Sequence, residues 1–219
     1  HNQYPIVLKA DGLAGGKGVL IPENREELLA GLEELRTGSL QDAAQTLVIE
    51  EFMPGEEASV FALCDGEHFE IMGTAQDHKR QLDGDKGPNT GGMGAYSPSP
   101  LLAEDMLNSV SETIIAPTIA GMAAEGNPYK GFLYVGLMMT SAGPKVVEYN
   151  CRFGDPECQV VIPRLRSDLL THLVQSTRGE LLGEDIVFDQ QYRTTVVLVS
   201  GGYPVSYDKG FPIFGLDEL

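Results

Sequence analysis

Glu148 and Asn150 stand two positions apart in KVVEYN, residues 145–150, a stretch that reads as a strand. Side chains at i and i+2 of a strand project from the same face, so this spacing sets a carboxylate beside an amide oxygen. Such a pair suits Mg2+, or Mn2+, held jointly with the phosphates of a substrate. Arg152 and Asp155 follow at once in CRFGDPE, residues 151–157. A carboxylate, an amide and a guanidinium within five residues fit phosphoryl transfer. The metal site neutralises charge, and Arg152 stabilises the group being transferred. The same residue types also make a salt-bridged loop, and the segment alone does not decide between the two.

A second set lies near the N-terminus. Lys9 interrupts the apolar strand PIVLKA, residues 5–10, where a charge costs free energy unless it has a partner. It either points to solvent or, beside the glycine run DGLAGGKG at 11–18, reaches the α- or β-phosphate of a nucleotide. Gly15 and Gly16 let backbone N–H groups approach phosphate, and Lys17 adds positive charge. The run is not a Walker loop. From Gly12 to Lys17 it is one residue short, and Gly18 stands where Ser or Thr belongs. Val19 to Ile21 reads as a returning strand, so the run is a hairpin flap over phosphates or a plain flexible hairpin.

Glu50, Glu51, Phe52 and Met53 end another strand, where backbone N–H and C=O groups can meet an adenine edge. Glu57 can accept from ribose hydroxyls; the rival reading is a charged surface turn. Residues 77–100 are rich in Gly, Pro, Asp and Asn and show no periodicity, as a structureless loop that is functional or disordered would. Asp77, Lys79 and Arg80 bring charge there, and Asn89, Gly91, Gly92 and Gly94 bring backbone N–H groups that could hold a small anionic substrate. His78 reads as a structural contact.

The elements that must position these groups are mixed. A helix is expected from Asn24, an N-cap with Glu27 three residues on, with Leu28, Leu29, Leu32 and Leu35 on one face. Strands are expected at 46–52, 58–64, 68–73, 132–140, 145–150 and 194–200. Further helices are expected at 103–125 and 163–176. Hairpins beside crossovers argue for an α+β class.

The length of 219 residues allows one large domain, or one and part of another. No apolar run reaches about 18 residues, so no membrane span is expected. A net charge of -17 repels a phosphate backbone, so nucleic acid is not an expected partner. Three cysteines without a CxxC fit free thiols in a reducing cytosol, hence a cytoplasmic location. The lack of an initial Met and the abrupt end suggest part of a longer polypeptide.

In order, a lysine, a glycine flap with its own lysine, a Glu-rich hinge, a long loop and a Glu-x-Asn with Arg resemble the ATP-grasp superfamily. KADGLAGGKGV, IEEFMPGEEAS, QDHKR, GPNTGGMGAYSP, EGNPYKGFLYVGLM and EYNCRFGDPE resemble segments of the glycinamide ribonucleotide synthetase family, from about residue 4 to 207. The resemblance implies an ATP-grasp fold of two subdomains clasping ATP. It places the ATP-grasp domain at 1–187 (1–56 the flap subdomain, 57–187 the core) and the start of a C-terminal domain at 188–219. It implies ligation of glycine to 5-phosphoribosylamine in purine synthesis, with ATP and Mg2+.

Carried over, Lys9, Gly15, Gly16 and Lys17 would meet the ATP phosphates, Glu50 to Met53 the adenine and Glu57 the ribose. Glu148 and Asn150 would hold magnesium. Arg152, with Lys17, would act on the transferred phosphoryl group. Asp77, Lys79, Arg80, Asn89, Gly91, Gly92 and Asp155 would line the pocket for the two substrates. The family carries further domains on the same polypeptide, in some cases within a multifunctional purine-synthesis protein. Two other readings stay open: a module that only binds Mg-ATP, and another ATP-grasp carboxylate–amine ligase.

Overall fold

A computed structural model describes residues 4–14, 18–38, 40, 42–84, 86–181 and 186–218. The chain forms two compact units, His1–Pro54 and Gly55–Leu219.

The first unit is built on a three-stranded antiparallel sheet in the order β2-β1-β3. β1 is Ile6–Ala10, β2 Val19–Leu20 and β3 Leu47–Glu51. Helix α1, Arg25–Thr37, starts as its sequence directs: Asn24 Oδ1 accepts the Glu27 N–H at 3.0 Å, and the Glu27 carboxylate accepts the Glu23 N–H at 2.9 Å. Leu35 is buried and Leu28 and Leu32 half-buried, but Leu29 is exposed. One residue turns the helix by about 100°, which carries Leu29 off the line through 28, 32 and 35.

The second unit centres on a six-stranded antiparallel sheet, β10-β9-β4-β5-β8-β11. Its strands are β4 Glu56–Asp65, β5 Phe69–Asp77, β8 Gly94–Ser97, β9 Lys130–Thr140, β10 Gly143–Asn150 and β11 Arg193–Val196. β4 is buried on both faces, so its alternate residues feed two cores. Ala58, Val60, Ala62 and Cys64 pack with Val110, Ile115 and Ile119. Phe61 and Leu63 pack on the other face with Met72, Tyr134, Val160 and Val161. The helices on the first face are α2 (Glu104–Val110) and α3 (Ala116–Ala124). Those on the second are α4 (Cys158–Val161) and α5 (Leu169–Arg178).

Further expectations need correction. The stretch 77–100 is not structureless: β6 (Arg80–Leu82) and β7 (Lys86–Asn89) form a separate hairpin, and β8 joins the main sheet. Gly94, which hides the strand pattern, is there because a Cβ would stand 2.5 Å from the Thr195 carbonyl oxygen of β11. The helix expected at 103–125 passes through a π turn at Ser111–Ile115. Pro117 has no N–H to continue the ladder, and Ala116 N–H bonds five residues back to Ser111. The helix expected at 163–176 is two pieces. Ile162–Arg164 is a 3-10 turn closing α4, and α5 begins afresh because Asp168 caps the N–H groups of Leu170 and Thr171.

The strand expected at 194–200 ends at Val196. Buried Arg164 ties this edge together, donating to Ser97 Oγ (2.9 Å) and to the carbonyls of Asp189 (2.9 Å) and Gln191 (3.2 Å). The three cysteines are free thiols, and burial pushes that of Cys64 up to about 12. Among the described residues no helix is long and apolar enough to cross a membrane.

Candidate functional site

In the first unit, Lys9 resolves its cost in an apolar strand by an ion pair. Its Nζ lies 2.6 Å from Glu50 Oε2 on β3, where Val7 faces Glu50 in register. Glu51 and Phe52 are exposed, and Met53 is half-buried. Gly15, Gly16 and Lys17 lie outside the described residues. The frame of their loop is described: β1 and β2 are antiparallel, Ala10 N–H donates to Gly18 O at 2.8 Å, and Gly12 N–H donates to Ala43 O at 2.9 Å. A strand, not a helix, follows the glycines.

In the second unit, β4, β5, β9 and β10 bring Glu57, Lys79 and Glu148 to one pocket, lined also by Ser59, Tyr134 and Val147. Lys79 Nζ is 2.5 Å from Glu57 Oε2 and 3.8 Å from Asp77 Oδ2. Burial alone would lower the Lys79 ammonium, but Asp77 and then Glu57 hold it above its ordinary value. Burial pushes the Asp77 carboxyl up against the pull of Lys79. Burial also raises Glu157, with Asp77 adding to it, and raises Tyr134, whose hydroxyl accepts from Ser59 Oγ at 2.9 Å. The result is one half-buried ammonium among three carboxyls.

Glu148 and Asn150 share one face of β10, with Asn150 Nδ2 donating to Glu148 Oε1 at 3.1 Å. β10 carries a bulge at Val147, just before the pair, between Val146–Leu137 and Glu148–Gly136. Gly136 makes room: a Cβ there would come within 3.3 Å of Glu148 Cγ. Among the described residues no group of three or more His, Cys, Asp or Glu could hold a metal by itself. A carboxylate with a neighbouring amide oxygen fits Mg2+ that takes its other ligands from water and phosphate.

The remaining expected residues lie elsewhere. Arg80 Nη1 donates to Gly87 O at 2.7 Å across the β6–β7 hairpin, with Asn89 opposite it in register, and both are exposed. Arg152 is exposed and donates to Phe153 O at 2.9 Å, and Asp155 accepts from Gln159 Nε2 at 2.8 Å. None of these four lines the pocket. Three N–H groups of the glycine loop have partners within the chain. Gly91 donates to Tyr203 Oη, Gly92 to Thr90 Oγ1 and Met93 to His78 O. The His78 ring lies 5.7 Å from that of Tyr96. Gly92, at φ +115°, leans on Pro156, where a Cβ would stand 2.4 Å from Cδ. Tyr134, Ser59 and Glu157 escaped the sequence reading; a tyrosine in the otherwise apolar run FLYVGLMM was the available signal.

Comparison with known proteins settles the family. The phosphoribosylglycinamide synthetase ATP-grasp (A) domain matches residues 1–158. The chain belongs to this family. The fold of this phosphoribosylglycinamide synthetase A domain is therefore ATP-grasp, α+β as expected. The chain is 50% identical over 216 residues to phosphoribosylamine–glycine ligase of Yersinia pestis, covering 98% of this chain and 50% of that protein. It is 51% identical over 216 residues to the ligase of Caulobacter vibrioides, covering 98% and 51%. The crystal structure of the Thermotoga maritima ligase superposes with a TM-score of 0.84 at 38% identity, covering 95% of this chain and 53% of that one. The chain thus spans about half the length of the curated relatives it matches.

Proposed function

We propose that this chain is the ATP-binding part of a cytoplasmic ligase that joins glycine to 5-phosphoribosylamine. The observation that carries the reading is the convergence of Glu57, Lys79 and Glu148 on one pocket, with Asn150 hydrogen-bonded to Glu148. The family and the names of relatives at 50% and 51% identity support the substrates. The greater length of those relatives supports further domains on the same polypeptide.

In the proposed reaction a carboxylate oxygen of glycine attacks the γ-phosphorus of ATP, and ADP leaves. The amine nitrogen of phosphoribosylamine then attacks the acyl carbon of glycyl phosphate. The C–O bond to phosphate breaks and the nitrogen sheds a proton, giving glycinamide ribonucleotide and phosphate. No protein nucleophile is needed, so the chain supplies position and charge. Lys9 and the flap residues Gly15, Gly16 and Lys17 are assigned to the ATP phosphates, Glu50 to Met53 to adenine and Glu57 to ribose. Arg152, with Lys17, is assigned to the transferred group. Asp77, Lys79, Arg80, Asn89, Gly91, Gly92 and Asp155 are assigned to glycine and phosphoribosylamine. Glu148 and Asn150 would hold Mg2+ or Mn2+, which supplies neutralisation of phosphate charge. Residues 188–219 are assigned to the start of the next domain.

The test is ADP release by the full-length polypeptide, with each substrate omitted in turn. Release is expected only with glycine and phosphoribosylamine together, and Glu148→Ala is expected to cut kcat by about 100-fold or more. Release restored by another carboxylate in place of glycine would point to a different ATP-grasp ligase. Normal turnover of the variant would remove the metal assignment.

A further inference from the structure

The motif SGGYP at 200–204 has no part in the reaction above, yet it holds the long loop from behind. Gly202 turns the chain tightly: its φ is +91°, a Cβ would stand 2.1 Å from Ser206 O, and its carbonyl accepts the Val205 and Ser206 N–H groups at 3.1 and 3.3 Å. The turn presents Tyr203, its ring edge-on to Tyr207 at 5.2 Å. Tyr203 contacts the loop at two places, Gln81 and Gly91, both on the C-terminal side of Lys79. Its carbonyl accepts from Gln81 Nε2 at 2.5 Å, and its hydroxyl accepts the Gly91 N–H at 3.1 Å. Between those contacts, the N–H and Oγ1–H of Thr90 both donate to the Lys79 carbonyl, at 2.7 and 2.9 Å. Thr90 Oγ1 also accepts the Gly92 N–H at 3.0 Å. Val197 N–H donates to Met93 O at 2.9 Å, continuing the β8–β11 pairing toward the same loop.

Hydrogen bonds therefore link the Tyr203 hydroxyl to Gly91 and, across the Thr90–Gly91 peptide bond, Thr90 to the backbone of Lys79, whose ammonium lines the pocket. We propose that Tyr203 is a positioning residue that fixes the Gly91 end of the loop and, through Thr90, the placement of Lys79. The consequence for turnover rests on the function proposed above; the contact itself does not.

Tyr203→Phe keeps the ring and removes only the acceptor. In the full-length protein, amide hydrogen exchange over residues 89–94 is expected to quicken about fivefold, the worth of one neutral hydrogen bond, with the melting temperature unchanged. KM for glycine or for phosphoribosylamine is expected to rise by a similar factor at unchanged kcat. Exchange as slow as in the wild type would overturn the contact. Faster exchange with both KM values unmoved, in an enzyme that turns over, would overturn the positioning role. A wild-type protein with no glycine-dependent turnover would instead defeat the proposed function, and exchange would still decide on the contact.

Discussion

The charge balance of the pocket turns on Lys79. One ammonium faces Glu57 and Asp77, and Glu157 adds a third carboxyl from the CRFGDPE segment. A Cβ on Gly154 would stand 2.5 Å from Glu157 Oε2, so the backbone presses directly on that carboxyl. Burial favours its protonated form in the folded protein. A carboxyl raised on folding contributes stability fully below its unfolded value, and the contribution is lost as pH climbs through the folded value. Glu157→Gln stays neutral throughout. Melting temperatures measured between about pH 4 and pH 7 should therefore show the wild type losing stability relative to the variant as pH rises. A constant difference across that range would show that Glu157 ionises as freely folded as unfolded. Glu148 and Asn150 were legible in the sequence because strand parity alone sets them on one face. Glu157 and Tyr134 were not, because their importance comes from burial against residues distant in the chain.

Among the elements, β4 and the long loop contrast most. The short apolar run of β4 was readable as a strand, and both of its faces are buried beneath helices. The loop gave no period because its strands are short and carry glycines demanded by neighbouring backbone. Gly94 meets Thr195, and Gly92 meets Pro156 at a positive φ. Gly92→Ala would combine a left-handed backbone with a 2.4 Å approach to Pro156 Cδ. It should destabilise the second unit by about 1–3 kcal/mol in urea unfolding. A loss below about 0.5 kcal/mol would mean that the loop can leave Pro156 at little cost. The π turn was equally hidden: Pro117 announces an interruption, but it does not say whether the ladder breaks or slips by one residue.

At the scale of the whole molecule, a net charge of -17 opposes the approach of ATP, so the few cations near the expected phosphates must act locally. Lys9 is paired with Glu50 and Lys79 with Glu57, each within one unit. The family, by contrast, was written in short ungapped strings such as GPNTGGMGAYSP, which need no fold to be recognised. The relatives named phosphoribosylamine–glycine ligase are about twice this span. The central step of the proposed reaction, phosphorylation of the glycine carboxylate, would leave a signature in the oxygen atoms. Glycine labelled with 18O in its carboxylate, given to the full-length protein with ATP and phosphoribosylamine, should pass one labelled oxygen to the phosphate released. Unlabelled phosphate formed alongside glycinamide ribonucleotide would contradict the glycyl phosphate route.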